Sequence, residues 1–184
     1  MQLLLCLILC ALSLDEGASP TKEELAIANA CAETMVNDWS VEAFEKLLAP
    51  GARQLKGEKL AIDFIKGNAQ LLGKDSAFRK SVKLEALEPV CITETNMEEA
   101  FVKVHDFLDA DVQGKKTIPM KDGKVALDAL KKKWPNLFDE LAQGRTAFFL
   151  PCVAVERGEK RPLSMFIVVA KVDESLRITL LEDK

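Results

Sequence analysis

Tyrosine is absent from this chain of 184 residues, and histidine occurs once, as His105. A phenolic hydroxyl therefore cannot serve as donor or acid, and any imidazole chemistry must use that single side chain. No Cys-x-x-Cys spacing and no His-rich cluster occurs, so the sequence supports no zinc or haem site. Serine-nucleophile motifs, glycine-rich phosphate loops and paired metal-binding carboxylates are missing too. No cofactor is expected.

Charge of one sign is also missing. The 25 basic and 29 acidic residues are interspersed and leave a formal charge of −4, whereas a nucleic-acid surface needs clustered Lys and Arg. The densest basic spot, Lys131-Lys132-Lys133, is flanked by Asp128, Asp139 and Glu140 and reads as a solvated helix face. Long apolar runs are absent as well. The first 14 residues are uncharged and mostly apolar, but a membrane-crossing helix takes about 20. At an N-terminus, followed at once by Asp15 and Glu16, such a run predicts a secretory signal, although no Lys or Arg precedes it. Ala11-Leu12-Ser13 or the region of Ala18 offers the small residues for cleavage. The expectation is a signal peptide over 1–18, a single α+β domain over 19–184, and a secreted, extracellular protein without a stable membrane span.

Cys6 and Cys10 fall in that leader, which leaves Cys31, Cys91 and Cys152. All three lie among apolar residues, where a free thiol packs as a small hydrophobe. Cys91 and Cys152 both fall in strand-like segments and are the pair that a disulfide would join; buried unpaired thiols are the favoured alternative. A hydrophobic fraction of 48% means that the core can carry the fold without bridges.

Thr21 and Glu24 form a capping box, and Leu25, Ala28, Ala32, Met35 and Trp39 make one apolar stripe, predicting a helix to about Trp39. Ser40 caps a short second helix carrying Val41, Phe44, Leu47 and Leu48, stopped by Pro50-Gly51. A third is expected over Glu58 to Leu72, with Gly73 as its cap. From Ala77 to Thr93, Phe78, Val82, Leu84 and Ala86 alternate with charged residues, predicting a strand that Pro89 interrupts before Val90-Cys91-Ile92. Asn96 to Asp109 suits either state; helical spacing and the Glu99–Lys103 pair favour helix, with Asn96 and Glu99 resembling a capping box. After a turn-rich stretch with Gly114 and Asp122-Gly123, Leu127, Leu130 and Trp134 mark another helix, kinked or restarted at Pro135 and closed by Gly144. Thr146–Glu156, Leu163–Val172 and Leu176–Leu181 read as a meander, with turns at 158–162 and 173–175. Helices first and antiparallel strands last give an α+β fold.

The segment Val36 to Ala52, with its apolar short helix running down to Leu48-Ala49-Pro50 and then Gly57 ahead of the third helix, resembles the opening of nuclear-transport-factor-2-like domains. The terminal Leu176-Arg177-Ile178-Thr179-Leu180-Leu181 is similar to that superfamily's last strands. The superfamily includes ketosteroid isomerases, polyketide cyclases, dehydratases and non-catalytic binding or assembly domains. The resemblance implies N-terminal helices packed on a curved antiparallel sheet, cone-like around a pocket. The helical reading of 96–144 would then be an insertion before a C-terminal three-stranded meander. It further implies Trp39, Phe64, Phe149 and Phe166 as walls of an apolar pocket. Enzymes of that kind use a buried carboxylate or His–Asp pair. Here the matched segments place no carboxylate obviously inward, since Asp38 and Asp63 read as solvated, and His105 is the lone weak catalytic candidate. The expected function is a secreted domain that binds a small apolar ligand or pairs with itself through the open sheet. The alternatives are an isomerase, cyclase or dehydratase acting on a hydrophobic carbonyl compound, and a secreted interaction or inhibitor protein.

Overall fold

The structure, a computed structural model, describes residues 19–55, 57, 59–109 and 118–183. The predicted signal peptide over 1–18 and the turn at Gly114 lie outside the described residues.

Helix α1 (Lys22–Asn37) starts on the predicted capping box: the Thr21 hydroxyl accepts from Glu24 N, and the Glu24 carboxylate accepts from Thr21 N at 2.8 Å. Ser40 caps α2 (Val41–Glu45). The chain then departs from expectation. Leu48–Gln54 is a strand, β1, where the sequence suggested only a helix stop. It pairs in parallel with the last strand, so the sheet is mixed and not wholly antiparallel. Pro50 and Gly51 (φ 72°) sit in an irregular stretch of β1, where the four residues 49–52 oppose the single residue 179 of the partner. An edge strand tolerates this because one side has no ladder to keep. Helix α3 (Ala61–Leu72) begins later than expected, since Leu60 stays extended and bridges to Arg53.

Residues 77–93 hold the second departure. Ser76 caps a one-turn helix, α4 (Ala77–Ser81), so the predicted strand begins only at β2 (Lys83–Ala86). Its Oγ accepts from Arg79 N at 3.0 Å, a local bond that competes with extension. β3 (Val90–Ile92) continues along the same neighbour with the register moved by one residue, and the amide of Leu87 reaches Pro151 O across the break. Helix α5 (Met97–Asp109) confirms the helical choice for 97–109 and carries the Glu99–Lys103 ion pair at 2.8 Å. Its start is not a capping box: the Asn96 side chain turns back to accept from Thr93 N and donate to Cys91 O. A short hairpin, β4 (Met120–Lys121) and β5 (Lys124–Val125), turns at Asp122-Gly123, both at positive φ. Helices α6 (Leu127–Lys133) and α7 (Pro135–Ala142) follow, with Pro135 restarting the helix at its first position.

The meander is β6 (Thr146–Glu156), β7 (Glu159–Val172) and β8 (Ser175–Asp183). Its turns are tighter than predicted: Arg157-Gly158 and Asp173-Glu174 all lie at positive φ, so residues 159–162 belong to β7. The main sheet runs β1-β8-β7-β6-β2, with β3 also on β6, and does not close into a barrel.

Both faces of that sheet are covered. Phe148, Leu150, Cys152, Met165, Ile167 and Val169 pack under α1, α2 and α3. Ala147, Phe149, Phe166 and Val168 alternate with them and pack under α5, α6 and α7. A register shift at Val168/Val169 puts an extra residue, Thr179, into β8, so that Ile178 and Leu181 both face the first helical layer while Leu180 faces the second. The helical insertion is thus the third layer of the molecule, and it covers the face through which self-pairing was expected.

Candidate functional site

The Trp39 ring stands in the first core, 5% exposed, with its Nε1 donating to Ile65 O at 3.3 Å. It meets Phe44 edge-on at 5.0 Å and Phe64 at 6.1 Å between centroids. This fixed ring, with Phe64 and Leu72 of α3 and Met35 of α1, walls one side of a partly open cavity of about 60 Å³. Leu84, Cys152, Leu163 and Met165 of the sheet form its floor. Ser164 contributes main chain only: alternation along β7 sends Leu163 and Met165 toward this cavity and turns Ser164 to the other face with Phe166.

The four aromatics expected to share a pocket are divided by the sheet. Trp39 and Phe64 line the cavity, whereas Phe149 and Phe166 belong to the second core. There their rings meet at a tilt, 4.9 Å between centroids, and join Phe101, Trp134 and Phe107 in a buried aromatic cluster. The reason is strand parity: Phe149 directly opposes Phe166 in the β6–β7 ladder, so both point to one face, and it is the face covered by α5 to α7.

His105 lies on α5, on that second side, with Nδ1 3.4 Å from the exposed carboxylate of its neighbour Asp106. It contributes nothing to the Trp39 cavity. Asp63 is exposed on α3, and the Asp38 carboxylate, just past the end of α1, accepts from the Ser40 hydroxyl that caps α2. The Lys131–Lys133 run is exposed as expected, and Lys133 places its ammonium 4.9 Å from the Trp134 ring centroid.

Cys91 and Cys152 are not bridged, and Cys31 is free as well. Cys91 opposes Phe148, while Cys152 lies four positions farther along β6 (148 to 152). Four residues of strand span about 13 Å, beyond the ~7 Å that a disulfide can join. Burial pushes the thiols of Cys91 and Cys152 up to about 11 and that of Cys31 up to about 12, so all three are protonated near neutrality.

No family model, curated protein or solved structure matches this chain.

One long-range contact was missed by sequence reading. Arg79 of α4 donates through Nη2 to Val36 O, a terminal carbonyl of α1 beside the wall residue Met35. Its charge also acts on the Cys152 thiol in the cavity floor, opposing the effect of burial. Ser76, three residues ahead of Arg79, was the available signal, a helix cap hidden under the alternation of Phe78, Val82 and Leu84. Among the described residues, no three acidic, His or Cys side chains gather where a metal could sit.

Proposed function

We propose that this protein is a secreted, non-catalytic binding domain that takes the end of a small apolar ligand between α1, α3 and the sheet. The observation that carries this reading is the cavity itself, whose side-chain lining is aliphatic, aromatic or sulfur-bearing. Its size sets the class of guest. At about 60 Å³ it is well below the ~150 Å³ that holds a benzene ring. A fused-ring guest does not fit, but an alkyl chain end does, and Met35, Met165 and Leu72 have the rotamer freedom to adjust around it. The three opening helices and the terminal meander are the features that support the superfamily reading the sequence resemblance implies.

Native mass spectrometry of the protein recovered from the culture medium tests the reading. A bound mass below a few hundred daltons, lost in the Phe64→Ala and Trp39→Phe variants, is the expected result. A folded protein that carries no such mass, and whose Trp39 emission ignores added alkyl compounds, contradicts it. Recovery only from the cytoplasm contradicts the export.

A further inference from the structure

Sulfur atoms are concentrated at one place in the first core. Met35, Cys152 and Met165 all line the cavity beside Trp39, and they are only 6%, 2% and 1% exposed. The fold sets their positions. Cys152 opposes Leu163 in the β6–β7 ladder, and Met165 stands two residues farther along β7 on the same face. Diagonal neighbours of this kind lie ~7–8 Å apart, within reach of a long side chain. Met35 packs onto the same face from α1. No nitrogen or oxygen of a lining side chain competes with them. Ser164 turns its hydroxyl to the opposite face, and Trp39 Nε1 is committed to Ile65 O.

Two thioethers and one thiol make a soft donor set. It matches a soft monovalent cation, Cu(I) or Ag(I), whereas Mg²⁺ and Ca²⁺ take oxygen and Zn²⁺ takes imidazole or several thiolates. Charge points the same way. A monovalent ion on one thiolate is a neutral unit, but a divalent ion would leave net charge among Phe64, Leu72 and Leu163, which is costly. Size agrees as well. About 60 Å³ admits a bare ion and is too small for one that keeps its shell of waters. The Trp39 indole walls the same cavity and adds an attraction for a cation.

We propose that Met35, Cys152 and Met165 form a binding site for one Cu(I) ion. The bond from Cys152 Sγ to the ion forms as the S–H bond breaks and its proton passes to solvent, and each thioether donates a lone pair. No electron is transferred. This site goes beyond the apolar-ligand reading and shares its cavity, so ion and alkyl chain exclude each other.

Ag(I) shares these preferences and keeps its charge in air, which makes it the probe, in chloride-free buffer. Trp39 emission in Trp134→Phe is the local readout, since Trp134 is the only other indole. Ag(I) should quench it, and Zn(II) should not. The quenching should persist when Cys91→Ala is added and vanish with Cys152→Ser. Met35→Leu and Met165→Leu, which preserve volume, should each weaken binding at least tenfold, with circular dichroism reporting the fold. X-ray absorption of the silver-loaded Cys91→Ala protein leaves the cavity unaltered and should count three sulfur neighbours. Quenching that survives in folded Cys152→Ser, or fewer than three sulfurs, overturns the site. If Ag(I) is rejected while 1-hexanol still shifts Trp39 emission, the ion is overturned and the alkyl reading stands. A response to neither overturns both.

Discussion

Glu24 accepts hydrogen bonds from the Thr21 amide and hydroxyl at the start of α1, and its other oxygen accepts from the Thr146 hydroxyl at 2.7 Å. One carboxylate therefore closes the first helix and joins it to the first residue of β6, 122 positions away. Replacing it by Ala removes the carboxylate half of the capping box, while the Thr21 hydroxyl still accepts from the amide at 24, and leaves the buried Thr146 without that acceptor. The expected loss is about 1–3 kcal/mol, read as a lower urea midpoint with an unchanged slope. The cysteines give a pH prediction. Each thiol is held protonated by burial, with a folded value above the ordinary 9.0. Their contribution to stability is fully present below pH ~9. It is lost as pH rises toward 11–12, because the unfolded chain releases those protons first. Urea unfolding at pH 7.5 and pH 10.5 should show this decline, with a shallower decline in Cys31→Ala. The same burial predicts negligible labelling of native Cys31 and Cys152 by a water-soluble thiol reagent at pH 7.5, slow labelling of the half-buried Cys91, and labelling of all three in denaturant.

At the scale of elements, the end of α3 depends on a residue without a Cβ. Gly73 has an ordinary φ of −62°, so its requirement is steric. A methyl group there would come within 2.4 Å of Ala69 O, a main-chain atom that cannot move aside cheaply, while Trp39 O, at 3.5 Å, would be in ordinary contact. Gly73→Ala should cost about 1–3 kcal/mol, as other forced contacts do. It should also alter Trp39 emission, since α3 and Trp39 wall the same cavity; an unchanged spectrum would place the strain elsewhere. In the second layer, Phe101 of α5 lies near-parallel to Trp134 and Phe138 at 6.2 and 6.0 Å. Phe101→Ala should cost about 3–5 kcal/mol, measured by thermal or urea unfolding.

Across the whole molecule, neighbouring residues of β6 and β7 feed opposite cores, so neither helical layer can leave the sheet without uncovering one face of the same strands. The two layers should therefore unfold together. Trp39 reports on the first core and Trp134 on the second, which makes the expectation measurable. Urea transitions followed by Trp39 in Trp134→Phe and by Trp134 in Trp39→Phe should each coincide with the loss of far-ultraviolet ellipticity in the same variant. A separate early transition seen at Trp134 alone would show the insertion to be an independent unit.

Local signals along the chain were sufficient wherever a short-range bond or a periodic stripe decides the outcome. The Thr21–Glu24 box, the Ser40 cap, the restart at Pro135 and the three terminal strands are all readable in this way, because each depends on residues three or four apart or on strict alternation. The same signals misread 77–81, where a Ser76 cap outweighs alternation, and missed β1, whose pairing partner lies 130 residues away (48 and 178). Trp39 and Phe64, which only the family resemblance implied as pocket walls, do line the cavity. Phe149 and Phe166 were misplaced because residue spacing tells which strand positions share a face but not which layer covers it. The amino-acid order by itself settled the α+β class and most of the element boundaries. Only tertiary packing decided that the inserted helices close the far face of the sheet, that Cys91 and Cys152 stand too far apart to join, and that Arg79 reaches the end of α1. Those outcomes depend on contacts between segments distant in sequence, and no local pattern encodes them.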